Sequence, residues 1–166
     1  GTIPFELILI DNGSTTPETL AWLNEQQLQE DTTIVRIDCD FNYAQIHNYA
    51  RPYCKGTHLL LLNNDIEVRS NNILQKLLDP FAIRHTVAVG ARLMYPNNSI
   101  QHHGVVLING ERRCVLEPGK HLSEPSVIDM FTPLGVQEEW VAATAACLML
   151  RTTVFDQIGG FDEQLA

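Results

Sequence analysis

The chain has 166 residues, 45% of them hydrophobic and 19% charged, and its 20 acidic against 11 basic side chains give a formal net charge of -9. This length suits one domain of ordinary size, and the balance of apolar to charged residues excludes wholesale disorder and fibrous repeats. The charge argues against a nucleic-acid partner, whose phosphates demand a basic face, although a divalent cation can still join carboxylates to phosphates.

Phe5 to Ile10 is an almost unbroken apolar run that stops at the turn-forming cluster Asp11-Asn12-Gly13-Ser14. Such a run suits a strand buried on both faces of a parallel sheet. Thr16-Pro17-Glu18 then supplies an N-cap and a first-turn proline, and Leu20, Leu23 and Leu28 can share a face, so the pattern predicts a helix over Thr16 to Gln29. A second strand is predicted over Thr33 to Ile37 and a helix over Tyr43 to Tyr53, ended by Lys55-Gly56. Thr57 to Leu62 repeats the first theme: an apolar strand halted by a polar cluster, Asn63-Asn64-Asp65. A helix over Ser70 to Phe81, with Leu74, Leu77 and Leu78 inward, and a strand over Thr86 to Met94 complete the alternation. Strands and helices at this spacing imply βαβ units and a mostly parallel α/β sheet.

From residue 95 the pattern changes. Ile100 to Ile108 is strand-like, Glu111 to Val136 shows no helical period and reads as a long loop, and Glu139 to Ala143 with Ala146 to Leu150 reads as a strand pair or one bent strand. Thr152 to Ile158 is a short helix ending at Gly159-Gly160. No run reaches the ~18 apolar residues of a membrane-spanning helix. The four cysteines, Cys39, Cys54, Cys114 and Cys147, form no C-x-x-C pair, which fits a cytoplasmic protein with reduced thiols, Cys147 lying in the core. The chain opens on Gly1-Thr2-Ile3-Pro4 without a signal segment and reads as one partial domain, 1–166, taken from something longer.

Ligands of open α/β sheets bind beyond the carboxyl ends of the parallel strands, where both polar clusters are expected, with Asp11 and Asp65 on one rim. Amides offer donors and acceptors to a nucleoside and Asp11 can accept from an imino N–H or sugar hydroxyls. Asp65 can hold Mg²⁺ or Mn²⁺ against a diphosphate.

The ordered set Asp11-Asn12-Gly13-Ser14, Phe41-Asn42-Tyr43 with Asn48, Lys55-Gly56, Leu61-Leu62-Asn63-Asn64-Asp65, Gln101-His102-His103-Gly104, Ala145-Ala146-Cys147-Leu148-Met149 and Gly159-Gly160-Phe161-Asp162-Glu163 resembles the family 2 glycosyltransferases. It is most similar to their rhamnosyltransferase-like members, which build O-antigen and other surface polysaccharides. The resemblance implies a GT-A fold, a Rossmann-like three-layer sandwich, that takes a nucleotide-diphosphate sugar donor and a glycan or lipid-linked glycan acceptor. Asp11, Asn12, Ser14, Asn42, Asn48, Asn63 and Asn64 would line the donor nucleotide. Asp65 stands at the last position of the family's Asp-x-Asp metal motif, with Mn²⁺ or Mg²⁺ as cofactor. His102, His103, Trp140 and Glu163 fall on the acceptor side, Trp140 as a stacking platform, and Asp162 is the candidate base within the chain. Transfer would invert the anomeric carbon, at the cytoplasmic side and peripherally at the inner face of the membrane.

Two departures from the family pattern carry further expectations. The leading strand that ends in a Pro-Thr-Tyr-Asn-like turn is not found before Phe5, and the acidic motif that follows Gly-Phe-Asp-Glu in the family is not found before Ala166. Residues 1–166 alone are then expected to bind nucleotide without transferring sugar, and an exposed sheet edge offers a surface for a homo-oligomer. The competing assignments are a non-catalytic nucleotide-sugar or glycan binding module, and a flavodoxin-like receiver, which is disfavoured because Asp11 lacks an adjacent acidic partner.

Overall fold

A computed structural model of the chain describes residues 3–108, 111–115 and 139–165. The first apolar run becomes β1 (Leu7–Asp11), followed by α1 (Pro17–Gln26), β2 (Thr32–Arg36), α2 (Tyr43–Ala50) and β3 (His58–Leu62). Next come α3 (Ile73–Leu78), β4 (Ala88–Gly90), β5 (Leu93–Met94), β6 (Ile100–His102), β7 (Gly104–Ile108), β8 (Glu111–Val115), β9 (Cys147–Arg151) and α4 (Thr152–Gln157). Short 3₁₀ turns extend α2 through Arg51–Tyr53 and α3 through Asp79–Ala82, each with a proline where an α-helix cannot continue.

The chain divides into two compact units, one of Gly1–Leu59 with Leu150–Ala166, the other of Leu60–Met149. In the first, β1 and β2 are parallel and in register from Leu7 opposite Thr32 to Asp11 opposite Arg36, with α1 as their connection. Thr16 caps α1 as predicted, but its hydroxyl bonds the Thr19 hydroxyl at 2.7 Å rather than a backbone N–H. Leu23 is buried, whereas Leu28 lies past the helix end and is 84% exposed, so the predicted three-leucine face is a shorter one. Asn42 caps α2 by accepting from the Gln45 backbone N–H at 3.0 Å, and Ala44, Ile46 and Ala50 turn inward.

The second unit packs Leu77, Phe81, Leu93, Cys147 and Met149 into one buried cluster, with Leu60, Leu74 and Val89 around it. Cys147 is core, as its apolar neighbours predict.

β3, β9 and β4 form one sheet with β9 central. Thr152 N–H donates to Thr57 O at one end of the β3–β9 pairing and Asn63 N–H to Ala146 O at the other, so the residue numbers run in opposite senses and the pair is antiparallel. The β5–β6 and β7–β8 pairs are antiparallel too. The architecture is therefore α/β, but the expectation of a mostly parallel sheet holds only in part. An apolar run looks the same whichever way its neighbour runs, which is why the direction was not readable.

Four further segments differ from expectation. The predicted strand over 86–94 is two pieces, and that over 100–108 breaks at His103 between β6 and β7. Glu111–Val115, read as loop, pairs with β7 because a hairpin partner compensates for its weak apolar pattern; the remainder of that loop, 116–136, lies outside the described residues. Glu139 to Ala143 forms only a bridge, Ala142 to Val105, rather than a strand beside β9.

Leu77 anchors the second unit's core, so Leu77→Ala is expected to lower unfolding free energy by about 2–5 kcal/mol, while Leu28→Ala stays within about 0.5 kcal/mol. Urea unfolding of both variants measures the contrast.

Candidate functional site

Asp11 closes β1, and the parallel register sets it opposite Arg36 at the end of β2. Its carboxylate is buried, and both oxygens are engaged: Oδ1 accepts from the Ser14 backbone N–H at 2.9 Å and Oδ2 from Arg36 Nη1 at 2.7 Å. Burial pushes the Asp11 carboxyl up, but the Ser14 hydrogen bonds and the Arg36 guanidinium outweigh it and hold the carboxyl below its ordinary range. Arg36 also donates through Nε and Nη2 to Asp38, at 3.2 and 3.0 Å. Asn12 turns inward, its Nδ2 donating to Ile37 O at 3.0 Å and Cys39 O at 2.9 Å. Asp11 and Asn12 thus shape the turn, and the side chains presented outward are Arg36, 43% exposed, and Asp38, 67% exposed, with half-buried Ser14 beside them.

Farther along the same unit, Asn42 and Asn48 grip the end of the described chain. Asn42 Nδ2 donates to Glu163 O at 2.9 Å. Asn48 Oδ1 accepts from the Phe161 N–H, and its Nδ2 donates to Phe161 O and to Glu163 Oε1, all at 2.9 Å. Asp162 is exposed, with Oδ1 accepting from the Gln164 N–H at 3.0 Å. Phe161 packs among Tyr43, His47 and Phe155, with ring centroids 6.0, 6.2 and 5.2 Å away. Burial pushes the Tyr43 hydroxyl up to about 12. It pushes His47 down, against the bond from Nδ1 to Tyr43 O at 2.7 Å, so the ring is held neutral.

In the second unit β3 runs into the turn Asn63-Asn64-Asp65, where Ile66 N–H closes back on Asn63 O at 3.3 Å. Asn63 is half-buried; Asn64 and Asp65 are exposed. Among the described residues no group of three His, Cys, Asp or Glu side chains could hold a metal ion. A lone loop carboxylate is nevertheless a suitable donor for a hard cation whose other ligands are phosphate oxygens and water, so these residues fit an ion brought in with a diphosphate.

His102 and His103 part company. His102 is buried and its Nε2 accepts from the Thr144 N–H at 3.1 Å; burial, and then the charge of His103, push its imidazole down, which keeps it neutral. His103 meets Trp140 edge to face, with ring centroids 5.3 Å apart. The indole lies over Gly104 so closely that a Cβ there would clash with the ring. The structure therefore brings Trp140 and His103 together and turns His102 toward the backbone.

Arg36 and Asp38 were missed by sequence reasoning. Their signal, Arg-x-Asp where the second strand ends, acquires meaning only once the β1–β2 register puts Arg36 against Asp11. Arg51 and Asp156 form a second unpredicted pair, bidentate at 2.8 and 2.7 Å.

The profile of the family described as "Glycosyl transferase family 2" matches residues 2–158. The chain is 37% identical over 160 residues to the O-antigen biosynthesis protein RfbC of Myxococcus xanthus, covering 96% of this chain and 12% of that protein. It is 34% identical over 166 residues to the uncharacterized protein y4gI of Sinorhizobium fredii (strain NBRC 101917 / NGR234), covering 96% of this chain and 17% of that protein. The chain thus spans less than a fifth of the length of either relative. No solved structure matches.

The lowered Asp11 carboxyl makes stability depend on pH. Its contribution is complete above the ordinary carboxylate range near about 4 and is lost as pH falls through the lower folded-state value. Asp11→Asn is expected to lower the melting temperature at neutral pH and to flatten its acid dependence, which thermal melts of both proteins from neutral to strongly acidic pH will measure.

Proposed function

We propose a sugar transfer for this chain, which belongs to glycosyl transferase family 2: a glycosyl group passes from a nucleotide-diphosphate donor to a glycan or lipid-linked glycan acceptor, with inversion, in surface polysaccharide biosynthesis. The observation that carries this is the family match running through both polar strand ends, together with the likeness to a protein named for O-antigen biosynthesis. The finer fold is the GT-A arrangement, with residues 1–166 as part of one such domain acting on the cytoplasmic face of the membrane. Among the described residues no helix is long and apolar enough to cross a membrane.

In this reading Ser14 and the outward Arg36 and Asp38 meet the nucleoside, because together they present donors and acceptors at the end of β1 and β2. Asp11 and Asn12 hold that edge in shape, and Asn63 and Asn64 serve the donor through the turn after β3. Asp65 would hold Mg²⁺ or Mn²⁺, which when bound supplies charge for the departing diphosphate. Trp140, half-buried over Gly104 and against His103, would be the aromatic contact for a sugar. The acceptor oxygen forms its bond to the anomeric carbon as the bond from that carbon to the diphosphate breaks. Its proton goes to a carboxylate, for which Asp162 is the exposed candidate in this chain. One displacement by an external oxygen inverts the centre.

Isothermal titration with a panel of nucleoside diphosphates, with and without Mn²⁺, tests the reading. Asp65→Ala is expected to weaken Mn²⁺-dependent nucleotide affinity by about tenfold or more, and to leave stability within about 0.5 kcal/mol since the side chain is exposed. Unchanged Mn²⁺-dependent affinity would overturn the assignment of Asp65.

A further inference from the structure

We propose that Asn48 is a positioning residue: it holds the Gly160–Glu163 turn against α2 and thereby sets the Glu163 carboxylate at the wall of a polar cavity that receives acceptor hydroxyls. The acceptor part rests on the function proposed above; the clamp rests on geometry alone.

The Asn48 carboxamide sends its three hydrogen bonds to a single segment more than a hundred residues away in sequence, pairing with both backbone groups of Phe161 and with Glu163 Oε1. A side chain committed in this way to its own chain has little left for a nucleotide. The adjoining residues are shaped to the same contact. Gly160 has φ +83°, and a Cβ there would overlap the Asn48 amide, so a side chain is excluded on both conformational and steric grounds. Phe161 drives its ring among Tyr43, His47 and Phe155, and Asn42 takes the Glu163 carbonyl at 2.9 Å. Glycine, aromatic and glutamate in Gly160-Phe161-Asp162-Glu163 each answer to α2.

The consequence concerns Glu163. An exposed glutamate spreads over many rotamers, and fixing one costs about 1.5–2 kcal/mol. A bond from Asn48 Nδ2 restricts this one beforehand and leaves Oε2 for another partner. The carboxylate lines a cavity of about 350 Å³ with Asn48, Arg51, Phe155, Asp156, Gly159 and Gly160. Arg51 and Asp156 lock each other in a bidentate pair, which steadies that wall, and the space beside Gly159 is open. Two carboxylates and an amide suit a polyhydroxylated ligand, whose O–H groups donate to Glu163.

The test uses the parent enzyme, with amide hydrogen exchange across 160–165, donor affinity, and steady-state kinetics on a polysaccharide acceptor. Asn48→Ala is expected to speed exchange at Phe161, to leave nucleoside diphosphate affinity within about twofold, and to lower kcat by about 10- to 100-fold with donor KM unchanged. Asn48→Asp keeps the bond from the Phe161 N–H and loses the two that Asn48 donates; if the alanine variant fails to fold, it carries the kinetic test, with faster exchange read across 162–165 rather than at Phe161. Combining Asn48→Asp with Glu163→Gln reverses the polarity of the side-chain bond, because the introduced amide can donate back to the introduced carboxylate. Protection across 162–165 is then expected to recover in part, since the Phe161 carbonyl still lacks its donor, while kcat does not recover, since the Glu163 carboxylate is gone. A purely structural role for Asn48 would let kcat recover with protection, and that result would overturn the proposal. A fall in donor affinity that matches the fall in kcat would also overturn it, returning Asn48 to the nucleotide. A wild-type parent that transfers no sugar would remove the proposed function, and the acceptor role with it, before any variant is made.

Discussion

A buried carboxylate must find partners for both oxygens, and that requirement organises the first unit. Asp11 lies at the end of β1 with little access to water, where an unpaired charge would be costly. The nearest solution is the residue opposite it in register, Arg36, together with the Ser14 amide that the following turn folds back. Once Arg36 is recruited, its remaining donors reach Asp38, and the Asn12 amide ties the turn to the backbone after β2. One satisfaction problem therefore sets the strand register, the turn and the polar edge a ligand would meet.

The second unit is organised by apolar packing, with His102 on β6 a buried polar side chain bonded to the Thr144 N–H. Leu77, Phe81, Leu93, Cys147 and Met149 hold the strand ends and α3 together, and Asn63-Asn64-Asp65 emerges from that rigid base as an exposed turn. A carboxylate on a short turn after a packed strand stays exposed to solvent. The contrast with Asp11 is instructive: both acids follow apolar runs, but one is spent on its own chain and the other is left to solvent.

The clamp around Phe161 gives the Gly-Gly-Phe-Asp-Glu segment a physical reason. Glycine is required where Asn48 presses on the backbone, the phenyl ring supplies the anchor, and the acids remain at the surface. Asn42 and Asn48, which sequence reasoning placed against the donor, act here on the chain itself.

What could be read from the sequence was whatever depends on local periodicity and punctuation. The apolar runs of β1, β2 and β3, the start of α1 at Thr16, the polar clusters at strand ends and the core place of Cys147 all follow from side-chain spacing and turn chemistry. The ordered motifs carried the family as well. Tertiary structure alone decided strand direction, because β9 lies antiparallel to β3 across a pairing that no local pattern encodes. It decided that Glu111–Val115 is a strand, since only β7 makes it one. It also decided which polar residues are free to act: Asp11 and Asp65 look alike in sequence, and only the register that brings Arg36 to one and the solvent that surrounds the other tell them apart. The Asp11–Arg36 bond spans 25 residues and the β3–β9 bonds join segments still farther apart, separations that lie beyond any window of local sequence.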